Sequence, residues 1–500
     1  MIRFALALGL LLGTPSPDAP RSHAVAGPDI EERRLRLPIV GEATVYLPPG
    51  GPGRTILFVS GDDGWGKGVV DMARRAAGDV SATVAGLSYP TLRKAALQRK
   101  GACWYPAGDL EVIGQSLEKQ LQFPEYTKPI LLGYSSGATL IYAALAASGE
   151  SFSGGMSLGF CPELEGAPPL CAHDAFRPKY AAAGKRAILT PIDDIAGRWE
   201  VLQGALDRAC TPESTHLFAA SIGGAHVTLL EGVGHGFANA SKWTAAFDDG
   251  LMEIARVSDE TAAAAKTAAG SVDPDLEKDL NALDLPLVLR LVERPRAFLV
   301  FISGDGGWSS LDKTLVDALA ARGISTVAIN TLKYFWSEKT PDQVATDVAR
   351  LVEICKRDHL PLFAGGYSFG AEVVPVVVDR PGLKDVFRGL VLISPGPHAS
   401  FEVSMLDWLR KKEKPTPYGV LEHVRALGPL PVFCSAGAKD EESICPDLRG
   451  EPARVVALLP GAHHYSGDYP KLAGEVADFL SRILAPAGET GTRQAPPATE

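Results

Sequence analysis

The 500-residue chain has no cluster of Lys and Arg, no basic stripe interleaved with aromatics, and a net charge of −10. Binding to a phosphate backbone needs clustered positive charge, so nucleic acid is excluded as an expected partner. There is no Cys-x-x-Cys and no His-Glu-x-x-His. Zinc is therefore not indicated, and no metal or other cofactor is expected. Long apolar runs are scarce as well. Phe4 to Leu12 is uncharged, but it falls short of the roughly 20 residues that a membrane-spanning helix needs. Following Arg3 and preceding a Pro/Ser-rich stretch with Ala24-Val25-Ala26 as a small-x-small cleavage site, it reads as an export signal over residues 1–26. The mature protein is thus expected in the periplasm. The seven cysteines suit that compartment. Cys161 with Cys171 and Cys434 with Cys445 are near enough in sequence to pair across loops, and the odd count leaves one thiol over.

What the chain does have is a duplication. Arg54-Thr-Ile-Leu-Phe-Val-Ser-Gly-Asp-Asp-Gly-Trp65 returns as Arg296-Ala-Phe-Leu-Val-Phe-Ile-Ser-Gly-Asp-Gly-Gly-Trp308. Each is a β-branched and aromatic run ending at a Gly/Asp turn, the pattern of a buried strand and its loop. A helical pattern follows (Val69 to Ala77; Leu311 to Ala321), then another strand-like run (Ala82 to Leu87; Ser325 to Ile329). Alternating strands and helices imply a mainly parallel sheet covered on both faces. The expectation is an α/β fold of two tandem domains, 30–255 and 286–484. An Ala-rich, partly helical linker over 256–285 would join them, and a Pro/Gly/Thr-rich tail would follow over 485–500.

In the second half, Leu360 to Gly366 is an apolar run leading into Gly366-Tyr-Ser368-Phe-Gly370, with an apolar helical stretch after it. Strand, Gly-x-Ser-x-Gly and helix together make a nucleophile elbow, in which the N–H after the serine, here of Phe369, faces the substrate oxyanion. Alone the motif is weak. Leu430-Pro-Val-Phe-Cys-Ser-Ala-Gly437-Ala-Lys-Asp440 adds a late strand ending in an acid, and Leu458-Leu459-Pro-Gly-Ala-His463-His464 adds the histidine. The order Ser, Asp, His is that of α/β-hydrolases. Ser368 would attack a carbonyl, His463 or His464 would carry the proton, and Asp440 would orient the imidazole. The Ser303-Gly-Asp305-Gly306 loop would supply the second oxyanion N–H, from Asp305 or Gly306. The first half carries a second candidate set: Ser135 in Gly133-Tyr-Ser135-Ser-Gly137, Asp207 after Val201-Leu-Gln-Gly204, and His235. Ser135 to Asp207 and Ser368 to Asp440 are both 72 positions, since 207 − 135 = 440 − 368. Duplication and hydrolase fold therefore support each other, and two tandem α/β-hydrolase-like domains are expected.

Phe301-Ile-Ser-Gly-Asp-Gly-Gly-Trp308, Leu332-Lys-Tyr-Phe-Trp336 with Thr340-Pro-Asp, Gly-Gly-Tyr-Ser-Phe-Gly370, Cys445-Pro and Leu459-Pro-Gly-Ala-His-His464 resemble the AcvB/VirJ family of bacterial virulence-associated periplasmic proteins. The two-domain length is more like AcvB than single-domain VirJ. The resemblance implies hydrolysis of lysyl-phosphatidylglycerol by Ser368, with an aminoacylated phospholipid at the membrane surface as partner and transient contact with secretion components. It leaves Glu441 open as an alternative acid. Tyr334, Phe335 and Trp336 are candidates either to shape the pocket or to pack a loop. Asp305, Glu338 and Glu372 are candidates to meet the lysyl ammonium. The rival readings are a non-catalytic binding protein for type IV secretion, and a serine esterase or thioesterase acting on another substrate.

Overall fold

The computed structural model describes residues 30–485 except 100–102, 173–175, 182–183, 268–272, 357–358 and 404–416. The expected signal 1–26 and nearly all of the tail 485–500 lie outside the described residues. Among those described, no helix is long and apolar enough to cross a membrane.

The first domain is built on an eight-stranded sheet: β1 (Glu31–Leu37), β2 (Gly41–Leu47), β3 (Arg54–Val59), β4 (Ala82–Leu87), β5 (Ile130–Tyr134), β6 (Gly154–Leu158), β10 (Asp194–Gly204) and β11 (Gly223–Leu230), in the order 1-2-4-3-5-6-10-11. A small sheet of β7 (Glu163–Glu165), β8 (Lys179–Ala181) and β9 (Arg186–Ile188) projects between β6 and β10. The second domain has β12 (Leu287–Arg290), β13 (Ala297–Ile302), β14 (Ile324–Ile329), β15 (Leu362–Tyr367), β16 (Leu390–Ile393), β17 (Val432–Gly437) and β18 (Arg454–Leu459), in the order 12-14-13-15-16-17-18. Six parallel strands correspond in order, 4-3-5-6-10-11 with 14-13-15-16-17-18. Only the edges differ: an antiparallel pair, β1 and β2, stands where the second domain has one antiparallel strand, β12. Each domain is thus a mainly parallel α/β-hydrolase sheet with helices on both faces.

Side-chain alternation explains the double cover. Ile56 and Phe58 of β3 pack on one face, while Leu57 and Val59 pack on the other. In β13, Leu299 and Phe301 oppose Phe298, Val300 and Ile302 in the same way. One apolar cluster runs through a face of both sheets, so the two cores are joined. Trp336 is central to the join: its indole donates to the Phe123 carbonyl at 2.8 Å, and its ring lies 5.7 Å from that of Tyr126. Lys119 adds a 3.1 Å ion pair with Glu402 and lies over the Trp336 ring at 5.3 Å.

Two expectations about chain organisation change. The boundary expected at 255 falls inside a helix, which runs from Thr244 to Thr267. The helix Pro274–Asn281 buries Leu276 and Leu280, so the expected linker 256–285 is largely two helices, the second of them packed into the core. The cysteines pair as Cys103–Cys171, Cys161–Cys210 and Cys434–Cys445, with Cys355 a buried thiol. The expected Cys161–Cys171 pairing is therefore wrong. Loop proximity in sequence does not fix which loops the sheet brings together.

Candidate active site

Ser368 follows β15 directly and caps the helix Phe369–Val378, with φ +50° and ψ −116°. An L-residue reaches that conformation only under strain. Small neighbours make the turn feasible: a Cβ on Gly366 would stand 2.3 Å from the Gly370 carbonyl carbon, and one on Gly370 2.0 Å from the Ile302 oxygen. The turn brings Ser368 to His463 and Asp440. His463 Nδ1 and Asp440 Oδ2 are 2.9 Å apart, and His463 Nε2 and Ser368 Oγ are also 2.9 Å apart. Because the carboxylate can only accept, Nδ1 carries the proton and Nε2 accepts from the serine.

The second histidine is not part of this chain of bonds. His464 Nδ1 lies 2.8 Å from the Tyr367 hydroxyl, and the two imidazoles are nearly perpendicular, at 88°. Glu441 is exposed, and Asp440 is the acid at the imidazole. Burial opposes the charge on His463, but the hydrogen bond and charge of Asp440, with Asp305 and Glu442 behind them, outweigh it and raise its pKa above the ordinary histidine value. Burial likewise opposes the charge on Asp440, and its contacts with His463 leave its carboxyl below the usual range.

The Gly304–Gly307 loop runs beside the elbow, with the Gly304 Cβ position 3.0 Å from the Tyr367 ring. Gly306 N–H donates to its neighbour Asp305 Oδ1 at 2.9 Å, which removes it as a free oxyanion donor. Phe369 N–H, in the first turn of its helix, and Asp305 N–H are the two that remain. The aromatic trio packs as core rather than as the wall of the Ser368 site, although Tyr334 also lines a cavity with Lys333, Lys339 and Arg350. Tyr334, Phe335 and Trp336 are all buried; Tyr334 donates to Asp347 at 2.6 Å, and Trp336 holds the domain join. Phe335 alone approaches the site, stacked edge-on behind Phe369 at 5.0 Å. Of the acidic candidates, Glu338 is exposed away from these contacts, and Glu372 Oε1 accepts from Gly396 N at 3.1 Å. Asp305 stays at the site.

One group escaped the sequence reading altogether. Glu111, from the first domain, places Oε2 3.6 Å from where a Gly306 Cβ would stand. Burial in the seam, opposed by Ser151 and helped by Asp305, pushes its pKa up to about 7. No pattern around Glu111 marks it, because only the packing of the domains brings it there.

The first domain repeats the centre. Ser135 has φ +55° and ψ −122° after β5. His235 Nδ1 lies 2.8 Å from Asp207 Oδ2, and its Nε2 lies 3.0 Å from Ser135 Oγ. Asp207 is held by Ala209 N and Cys210 N, each at 2.9 Å, and by Gln203 Nε2 at 3.0 Å. Asp207, Cys210 and His235 form the one group among the described residues close enough to share a metal ion. The Cys210 sulfur is committed to its disulfide, however, and the other two already bond each other.

Residues 296–484 match the family described as "Bacterial virulence protein (VirJ)". No curated protein matches the chain. Among solved structures, Est1E from Butyrivibrio proteoclasticus is similar at 15% identity and TM-score 0.31, over 40% of this chain and 93% of that one. TT1662 from Thermus thermophilus is similar at 22% identity and TM-score 0.31, over 40% and 94%. The esterase domain of a Rhodothermus marinus protein is similar at 14% identity and TM-score 0.30, over 45% and 98%.

Proposed function

We propose, from the premise that residues 296–484 match the VirJ family, that the chain is an exported serine esterase acting at Ser368. Its substrate in this reading is lysyl-phosphatidylglycerol, cleaved in the periplasm to lysine and phosphatidylglycerol. The observation that carries the hydrolase part is the unbroken Ser368–His463–Asp440 relay on a strained elbow.

Ser368 Oγ attacks the lysyl carbonyl carbon as its proton passes to His463 Nε2, and Asp440 stabilises the imidazolium. The carbonyl oxygen becomes an oxyanion within reach of the Phe369 and Asp305 N–H groups. The ester C–O bond then breaks, and the departing glycerol oxygen takes the proton from His463. Water, deprotonated by His463, attacks the lysyl-Ser368 ester and releases lysine, and the serine recovers its proton. Ester cleavage of this kind needs no cofactor.

The lysyl part is supported by charge. Asp305 and Glu111 both lie at the Gly306 loop; Glu111, pushed up to about 7 by burial, is drawn into its charged form when an ammonium-bearing acyl group arrives beside it. Lipid extracts from a strain lacking the gene test the substrate. Lysyl-phosphatidylglycerol should accumulate, and expression of the wild-type chain but not of Ser368→Ala should return it to its former level. An unchanged level in the deletion strain would reject this substrate.

A further inference from the structure

We infer that the first domain is a second, independent hydrolytic centre, with Ser135 as nucleophile and a small, water-soluble carboxylic ester as substrate. The family match covers only the other domain, and nothing in the proposed lipid chemistry calls on Ser135. The geometry is nonetheless that of a working site. Ser135, His235 and Asp207 are in relay at 3.0 and 2.8 Å, the serine is held at φ +55°, and hydrogen bonds from Gln203, Ala209 and Cys210 hold the Asp207 carboxylate against the imidazole. Strain of this kind is costly, and a site whose only role was structural would gain nothing from it. The loop beside the elbow is present too: a Cβ on Gly61 would stand 3.1 Å from the Ser135 Cβ.

The two centres face different surroundings. The first domain meets the second through Lys119, Phe123 and Tyr126, which precede β5. Ser135 follows the far end of β5, five residues or about 16 Å along the strand. Glu150 and Ser151, beside Glu111, lie at the end of the helix Ser136–Ser148, again about 20 Å from the Ser135 end. The first domain therefore rests on the second with its non-catalytic pole, and its own serine opens away from the join. Acyl transfer from one serine to the other is excluded by this arrangement, so each centre must complete its own turnover.

The residues around Ser135 set the substrate class. Where Phe369 follows Ser368 and packs on Phe335, Ser136 follows Ser135, and its hydroxyl donates to the exposed Asp62 carboxylate. Arg93 stands 3.7 Å from Asp62. A polar, hydrated mouth suits a short hydrophilic acyl group and disfavours a fatty one. The reaction balances as at any serine esterase: Ser135 Oγ bonds the acyl carbon, its proton passes through His235 to the leaving alcohol, and water releases the acid.

The test uses full-length Ser368→Ala, so that the other centre is silent. It should still take one fluorophosphonate label, mapped to the Ser135 peptide, and should hydrolyse p-nitrophenyl acetate at least tenfold faster than p-nitrophenyl octanoate. Ser368→Ala/Ser135→Ala and Ser368→Ala/His235→Gln, with unchanged circular dichroism, should lose that hydrolysis. Ser368→Ala as inert as the double variants would overturn the proposal, and octanoate hydrolysed faster than acetate would overturn the substrate class. Neither result bears on lysine release from lipid, which is read on the wild-type chain.

Discussion

His463 and His464 show what single residues can and cannot reveal. The sequence places two histidines in the right loop, and only their perpendicular rings decide between them, one toward Asp440 and Ser368 and the other toward Tyr367. The serine and acid were legible because each must sit at a strand end, where the pattern of apolar runs exposes it. Side-chain direction in a loop has no such signature. The same centre yields a pH prediction. Ser368 is activated only by neutral His463, whose pKa is raised by Asp440 and, more remotely, by Asp305. Activity should therefore fall on acidification through a pKa above the ordinary histidine value. Asp305→Asn removes one negative charge and so lowers that pKa, and the acidic limb of kcat/KM should move to lower pH. A pH–rate profile checks this, and an unmoved or upward-shifted limb would contradict it.

Among the elements, one strand in each domain was read almost to the residue: β4 spans the expected Ala82–Leu87, and β14 begins one residue before Ser325. A buried parallel strand is a short apolar run bounded by turns, and that is visible without the fold. Of the disulfides, Cys434–Cys445 was legible from its short loop, as expected, whereas Cys103–Cys171 and Cys161–Cys210 were not. Both acid loops turn out to be tied down. Cys434–Cys445 closes the loop that contains Asp440, and Cys210, three residues after Asp207, is bonded to Cys161. Cys445→Ser should lower stability by about 2–3 kcal/mol and lower kcat more than it raises KM, because Asp440 loses its anchor. Thermal denaturation with steady-state kinetics measures both. A stability loss with kcat unchanged would leave the disulfide a purely structural tie.

For the whole molecule, duplication was evident from the matched spacing, but the relation of the copies was not. Trp336 stood in an aromatic trio suited either to shape a pocket or to pack a loop; it packs, and in doing so holds the domains together. Glu111 reaches the second domain's site only through that join. In a Ser135→Ala background, where only Ser368 turns over, Glu111→Gln should raise KM for lysyl esters by about fivefold to tenfold and leave kcat for the uncharged p-nitrophenyl acetate unchanged, as expected for a lost charge contact of roughly 1 kcal/mol. An equal effect on both substrates would mean that Glu111 supports packing rather than the ammonium. The central claim is that Ser368 releases lysine from a lipid ester. Purified full-length protein added to phosphatidylglycerol vesicles containing lysyl-phosphatidylglycerol tests it most directly, with free lysine as the readout. The wild-type chain should release lysine, and Ser368→Ala, with Ser135 intact, should be slower by on the order of 10⁴-fold or more. Lysine release by Ser368→Ala at the wild-type rate would contradict the account.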